Sequence, residues 1–187
     1  ESPSKVVLQT EAEVNEWVNN MRNSWNTSRP SGSTSTSQTS WTKPIAPYVK
    51  CNFDAGFHPR STSSSGGWII RDHEGSAKIK DSSLLERANT ALEAETMALI
   101  VAMQQAWVRG YKRVQFEGDC EILINTINGL TTRMDISNLL RDIDFWASKF
   151  LSIMFTFTHR SCNNVAHHLG TSMYTSRVFQ SDIGNQP

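Results

Sequence analysis

Apolar and polar residues alternate in the stretch VKCNFDAGF, residues 49–57, as they do in a half-buried β-strand. Val49, Cys51 and Phe53 occupy the apolar positions, and the stretch ends at a glycine turn. Side chains two residues apart point to the same face of a strand, so this pattern predicts a first strand with one face in the core. The end of this predicted strand carries a carboxylate, Asp54, next to the core residue Phe53.

Four further extended segments follow along the chain. Residues 64–83, SSGGWIIRDHEGSAKIKDSS, contain two of them, separated by a turn with Asp72 and Gly75. Strands one to three are therefore predicted to form an antiparallel meander. The segments YKRVQFEGD, residues 111–119, and LSIMFTFTHR, residues 151–160, predict the fourth and fifth strands.

Helical spacing of apolar residues predicts a long helix after the meander. Thr90 and Glu93 form a capping box at its start, and Gly110 is a typical C-terminal residue. Two shorter helices are predicted in CEILINTING, residues 120–129, and in SNLLRDIDFWASKF, residues 137–150.

A last helix, NNVAHHLGTSMY, is predicted within residues 163–174, with Val165 and Leu169 on its packed face. The chain then reads as three strands, a helix, a strand, two helices, a strand and a helix. This order predicts an α/β fold with a mixed sheet flanked by helices.

The N-terminal region has a different composition. TEAEVNEWVNNMRNSW, residues 10–25, predicts one amphipathic helix, and the Ser/Thr-rich residues 26–40 predict a flexible linker. We therefore predict three parts: the helix and linker in residues 1–47, the folded domain in 48–175 and a C-terminal tail in 176–187. The helix is either a docking element for a protein partner or a remnant of an upstream region.

Composition narrows the function classes. The 187 residues contain 18 Lys and Arg and 18 Asp and Glu, so the net charge of zero gives no bulk attraction to nucleic acid. Any nucleic-acid binding must come from local groups. Three widely spaced cysteines fit reduced thiols in an intracellular protein, in the nucleus or cytoplasm, and no apolar run approaches the roughly 20 residues of a membrane span.

Three carboxylates occupy the ends of predicted core elements. Asp54 ends the first strand, Glu95 lies in the first turns of the long helix, and Asp119 follows the fourth strand. Singly, they are also explained as a turn residue, a solvated helix charge and a helix N-cap. Together they adjoin apolar core segments, where carboxylates repel one another unless a cation neutralises them. Mg²⁺ is the natural partner of such oxygen ligands.

Five blocks carry a resemblance to a known family: KCNFDAGF, GGWIIRDHEG, LEAETMALIVAM, VQFEGD and HRSCNNVAHHLG. In this order, over residues 48–175, they resemble the ribonuclease H type I family, in the version of plant retroelement-derived, reverse-transcriptase-associated proteins. The resemblance implies a ribonuclease H-like fold with a five-stranded mixed sheet. It also implies an endonuclease that hydrolyses the RNA strand of RNA/DNA hybrids with two Mg²⁺ ions.

By block matching, the catalytic and metal-binding carboxylates of the family fall on Asp54, Glu95 and Asp119. Glu93 lies two residues before Glu95, about 200° around the helix, and is interpreted as a cap. The fourth metal position, usually Asp, matches His167 here. Because imidazole binds transition metals better than it binds Mg²⁺, Mn²⁺ is a second candidate cation.

Six residues are candidates for contacts with the sugar–phosphate backbone of a nucleic acid: Asn52, Asn89, Lys112, Arg113, Arg160 and Asn163. The amides could recognise 2′-hydroxyl groups or phosphates, and the cations could bind phosphates. A solvated basic corner also explains the cations. The alternative function is a catalytically silent ribonuclease H-like module that binds nucleic acid or protein.

Overall fold

The structure, a computed structural model, describes residues 40–183, with side chains to Ser172. The predicted N-terminal helix and most of the predicted linker lie outside these residues and stay predictions. The predicted domain limits also stay predictions.

The described residues form five strands and four α-helices. The strands are β1 (Val49–Gly56), β2 (Ser64–Arg71), β3 (Ala77–Leu85), β4 (Arg113–Gly118) and β5 (Ser152–Phe157). The helices are α1 (Ala91–Val108), α2 (Glu121–Ile127), α3 (Ser137–Ala147) and α4 (Arg160–Ile183), with a 3-10 helix, Met134–Ile136, before α3. This is the predicted order of elements. No helix within residues 40–183 combines the length and apolarity that crossing a bilayer requires.

The strands form one mixed sheet in the order β3-β2-β1-β4-β5. β1 pairs antiparallel with β2, and β2 with β3, whereas β1–β4 and β4–β5 are parallel pairs. The predicted five-stranded mixed sheet is thus confirmed. Because β1 and β4 run in the same direction, their C-terminal ends meet at one edge of the sheet, where Asp54 and Asp119 lie.

The predicted helix cap and glycine turns are present in the structure. The Glu93 backbone N–H donates to Thr90 Oγ1 at 3.1 Å, which confirms the cap of α1. The Glu93 carboxylate accepts from the Asn89 backbone N–H at 2.7 Å, one residue before the cap. Gly75 and Gly110 have φ angles of +85° and +83°, in the left-handed region that favours glycine.

The main core lies between the sheet and α1. Cys51, Phe53 and Phe116 from the sheet pack in one fully buried cluster with Leu99 and Met103 from α1. In β1 and β4 these are the alternating apolar positions, so the strand pattern correctly selects the face that packs on α1.

α4 packs on the face of β2 that points away from α1, and its backbone lies very close to the strand. A Cβ atom added at Gly67 would lie 2.2 Å from the Gly170 nitrogen and 2.6 Å from the Ala166 oxygen. The prediction that Val165 lies on the packed face is wrong, since Val165 is 39% exposed and Ala166 is fully buried. Only small residues let the helix backbone approach the strand this closely.

A buried polar network lies on the face of β1 and β4 opposite the main core. Lys50 and Glu117 are buried and form an ion pair of 2.9 Å. Asn52 Nδ2 donates to Glu117 Oε2 at 2.8 Å, and Trp41 Nε1 donates to Asn52 Oδ1 at 2.8 Å. The Lys50 ammonium also donates to the Thr42 carbonyl at 2.7 Å. The chain before β1 therefore contacts the sheet from Trp41 onward.

The glycine contact between β2 and α4 leads to a stability prediction. Gly67→Ala should lower the free energy of unfolding by roughly 3 kcal/mol, because the new methyl group meets helix backbone that cannot move aside locally. Gly66→Ala is the matched control: its Cβ would meet the Ala98 methyl group at 3.1 Å, so we expect a loss of about 1 kcal/mol. Urea unfolding measures both, and equal losses would contradict the prediction.

Candidate metal centre

Three core elements bring their carboxylates to one point. Asp54 is on β1, Asp119 directly follows β4, and Glu95 lies in the second turn of α1. One ligand oxygen from each lies within 4.8 Å of the others. The three acidic residues proposed from the sequence are therefore assembled as one cluster.

The cluster is buried enough to disfavour its own charge. The side chains of Asp54 and Asp119 are 0% and 6% exposed. Burial, together with the charge and hydrogen bonding of Asp119, raises the pKa of Asp54 to about 8. Burial and the charges of Asp54 and Asp119 raise the pKa of Glu95 well above its ordinary value. Without a cation, the folded protein holds protons on this cluster at neutral pH.

Two carboxylate oxygens of the cluster accept no hydrogen bond, and they indicate which kind of ligand the cluster can bind. Asp54 Oδ1 and Glu95 Oε2 are buried and have no hydrogen-bond partner among the described residues. Buried carboxylate oxygens normally have donors or bind cations. Closely spaced oxygens of this kind are the ligands that hard divalent cations prefer, so the residues present fit such an ion.

His167 lies beside the carboxylates. Its Nδ1 is 2.9 Å from Asp54 Oδ2, and its side chain is 28% exposed. Burial, followed by the positive charge of Arg160, lowers the pKa of His167, which favours the neutral ring that a metal requires. The adjacent His168 is exposed. The structure thus places His167 where the sequence reasoning expects a fourth ligand, and its binding of metal stays a prediction.

Arg160 and Asn163, at the start of α4, flank the cluster in different ways. Arg160 is exposed, with Nη1 3.4 Å from Asp119 Oδ2 and Nη2 2.8 Å from His167 Nδ1. Asn163 is 1% exposed and donates to the Phe53 carbonyl at 2.8 Å. Arg160 is therefore an exposed cation that contacts the cluster, whereas Asn163 ties α4 to the end of β1.

The other two amides also differ in accessibility. Asn89 is exposed just before α1, and its side chain donates to Glu93 Oε2 at 3.0 Å. Asn52 is 1% exposed, and both its amide atoms are hydrogen-bonded within the buried network. The expectation of a nucleic-acid contact by Asn52 is not supported by this placement, because the Trp41 segment covers the amide.

Lys112 and Arg113 lie far from the carboxylates. They are at the beginning of β4, and Asp119 follows Arg113 by six positions, roughly 20 Å along an extended strand. The Lys112 ammonium instead lies 4.9 Å from the centre of the Trp107 ring. The structure does not bring these two cations to the acidic cluster.

Sequence reasoning missed the buried Lys50–Glu117 pair and the contact of Arg160 with Asp119. A signal for the first was present, since Lys50 and Glu117 lie an even number of residues before Asp54 and Asp119 and thus share their face. No local pattern indicates the second, because Arg160 is distant from Asp119 along the chain.

The fold and the acidic cluster define a ribonuclease H-like protein. The model of the reverse transcriptase-like family matches residues 52–173, more than half of the chain, and the chain belongs to this family. The family resemblance expected from the sequence is confirmed, whereas a plant retroelement origin stays a prediction. No curated protein matches the chain.

Solved ribonuclease H structures share this fold. Ribonuclease H1 from the archaeon Halobacterium salinarum has a TM-score of 0.66 at 21% identity, over 69% of this chain and 98% of that one. The N-terminal ribonuclease H domain of a Mycobacterium tuberculosis protein has a TM-score of 0.59 at 18% identity, over 70% and 98%. LC11 ribonuclease H1 in complex with an RNA/DNA hybrid has a TM-score of 0.59 at 19% identity, over 65% and 92%.

The raised pKa of Asp54 predicts a pH-dependent stability. A carboxyl group whose pKa is higher in the folded than in the unfolded protein stabilises the fold below its unfolded pKa, and this contribution is lost as pH rises. The free energy of unfolding of the metal-free protein should therefore fall between about pH 4 and pH 8. Millimolar Mg²⁺ should restore stability at the upper end of this range.

Variants separate this effect from general charge effects. Asp54→Asn should raise the melting temperature of the metal-free protein near pH 8 and reduce the stabilisation by Mg²⁺. Asp142→Asn, at an exposed position of α3, is the matched control and should do neither. A melting temperature that is flat over this pH range and insensitive to Mg²⁺ would contradict the assignment of a metal centre.

Proposed function

We propose that this protein is a divalent-metal-dependent endonuclease that hydrolyses the RNA strand of RNA/DNA hybrids. The observation that carries the proposal is the convergence of Asp54, Glu95 and Asp119, within 4.8 Å, in a ribonuclease H-like fold. The structural similarity to an enzyme solved with an RNA/DNA hybrid supports the substrate class.

The residues that would hold the metal are the three carboxylates and the neutral ring of His167. Mg²⁺, as two ions by the family resemblance, is the proposed cofactor, with Mn²⁺ as a second candidate because an imidazole contributes to the site. A bound divalent ion supplies Lewis-acid polarisation of a phosphoryl oxygen and lowers the pKa of a bound water. The protein contributes position: Asp54 lies on a core strand, Glu95 on a core helix, and Asp119 directly after the last residue of the neighbouring strand.

The exposed groups near the cluster are suited to hold a nucleic acid. The Arg160 guanidinium can donate to phosphate oxygens in a planar, two-pronged geometry. The Asn89 amide, exposed near the start of α1, can reach a sugar edge, where the 2′-hydroxyl distinguishes RNA from DNA. We assign phosphate contact to Arg160 and sugar contact to Asn89 in this proposal.

One observation favours the alternative of a silent module that binds nucleic acid or protein. His167 replaces the usual fourth carboxylate and contacts Asp54 directly, so the cluster has less negative charge to attract two cations. Binding of a hybrid without its cleavage would support this alternative. Retention of the three carboxylates supports the enzyme.

Cleavage of a labelled RNA/DNA hybrid, with and without Mg²⁺, tests the proposal. Wild-type protein should cut the RNA strand only with the metal, and Asp119→Asn should lower the rate roughly 100-fold or more, because a ligand atom loses its charge. Glu93→Gln is the matched control: this residue caps α1, two positions from Glu95, and should retain cleavage. Equal rates for wild type and Asp119→Asn would refute the assignment of the site.

A further inference from the structure

We propose that Arg160 is an internal cation that competes with divalent metal for the acidic cluster, and that metal binding releases its guanidinium to meet a substrate phosphate. The inference rests on the proposed function in one respect, that the cluster binds a divalent ion. It adds an order of events: metal enters first, and the phosphate-binding group becomes available as a result.

The contacts of Arg160 fall on two of the four proposed metal ligands. Nη1 lies 3.4 Å from Asp119 Oδ2, and Nη2 lies 2.8 Å from His167 Nδ1 and 3.2 Å from His167 Nε2. The guanidinium therefore faces the carboxylate of one core element and the imidazole of α4 at once. His167 in turn contacts Asp54, so Arg160 is linked to Asp119 directly and to Asp54 through the imidazole.

The lone pair of a histidine nitrogen can serve one partner at a time. A neutral imidazole has one donor and one acceptor nitrogen. In the tautomer whose Nδ1–H donates to Asp54 Oδ2, the acceptor is Nε2, 3.2 Å from Arg160 Nη2, and it either accepts a hydrogen bond from Arg160 or coordinates a metal. A divalent ion that engages His167 and Asp119 must therefore displace the guanidinium. The repulsion between the two cations acts in the same direction, since both would lie against the same carboxylates.

The burial of the partners shows which group is able to move. The Arg160 side chain is 61% exposed, whereas those of Asp119 and Asp54 are 6% and 0% exposed. Arg160 can swing into solvent without disturbing the core, and the carboxylates cannot. Arg160 is the first residue of α4, so its released guanidinium remains at the exposed margin of the cluster, where it can bind a phosphate.

The competition should be measurable as a metal affinity. The positive charge of Arg160 opposes the binding of a second cation, and because the side chain is exposed this effect on affinity is modest. Arg160→Gln should therefore bind Mn²⁺ or Mg²⁺ about three- to tenfold more tightly than wild type. Arg160→Lys keeps the charge and loses the two-pronged contact, so its affinity should lie between the two. Calorimetric titration of the full chain with each metal alone measures these affinities without substrate.

A matched control and a salt series make the test specific. Arg141→Gln removes an exposed arginine on α3 that contacts Asn138, away from the cluster, and should leave metal affinity unchanged. Raising the KCl concentration should reduce the difference between wild type and Arg160→Gln, because exposed charges are screened by salt.

Unchanged or weaker metal binding by Arg160→Gln would overturn the inference. Weaker binding would mean that Arg160 orients His167 for the metal instead of competing with it. If wild type binds metal and cleaves hybrid while Arg160→Gln has unchanged affinity, the inference alone fails. If no variant binds metal, the inference and the proposed function fail together.

Discussion

Repulsion among three carboxylates is the constraint on which the rest of this structure depends. Asp54, Glu95 and Asp119 are held within 4.8 Å of one another by two parallel strands and a helix, none of which can shift without disturbing the core. The molecule limits the repulsion by retaining protons, as the raised pKa of Asp54 indicates, and by placing Arg160 and His167 against the cluster. A divalent cation relieves it more completely, since its charge acts on all three groups at once.

The neighbouring structure keeps this charge at the edge of the sheet. Two residues before Asp119 on the same face, the Glu117 carboxylate is neutralised by Lys50 and accepts a hydrogen bond from the Asn52 amide. A buried pair of this kind costs desolvation, and its hydrogen bonds must be complete if the fold is to tolerate it. Trp41 completes them from outside the sheet. Among the residues that the structure describes, the buried carboxylate oxygens without a hydrogen-bond partner, Asp54 Oδ1 and Glu95 Oε2, both belong to the cluster that binds the cation in our account.

Features set by local sequence were predictable. The apolar face of β1, the Thr90 cap and the glycine at Gly110 each depend on a few neighbouring residues, and the structure has them as expected. The prediction that β1 is only half-buried is wrong, because its polar face is buried as well. Features set by distant partners were not. Val165 was assigned to the packed face of α4 by its apolarity, but the close approach of Gly67 selects the small-residue face of Ala166 and Gly170, about 100° further around the helix.

The same distinction applies to the site. The resemblance located the carboxylates, because catalytic groups keep their place relative to the strands and helices that carry them. Accessibility was harder to predict: Asn52 and Lys112 are equally polar in sequence, yet one is buried under Trp41 and the other lies at the far end of β4. Such differences depend on which segment crosses which face, and the pattern within a single strand does not contain that information.

The central claim is that one divalent ion or more binds between Asp54, Glu95 and Asp119. The most direct measurement is a crystal structure of the protein with Mn²⁺, in which anomalous scattering locates the metal independently of any activity. We predict an anomalous peak about 2 to 2.6 Å from carboxylate oxygens of all three residues. Anomalous peaks for Mn²⁺ at other sites, with none between these three carboxylates, would contradict the account.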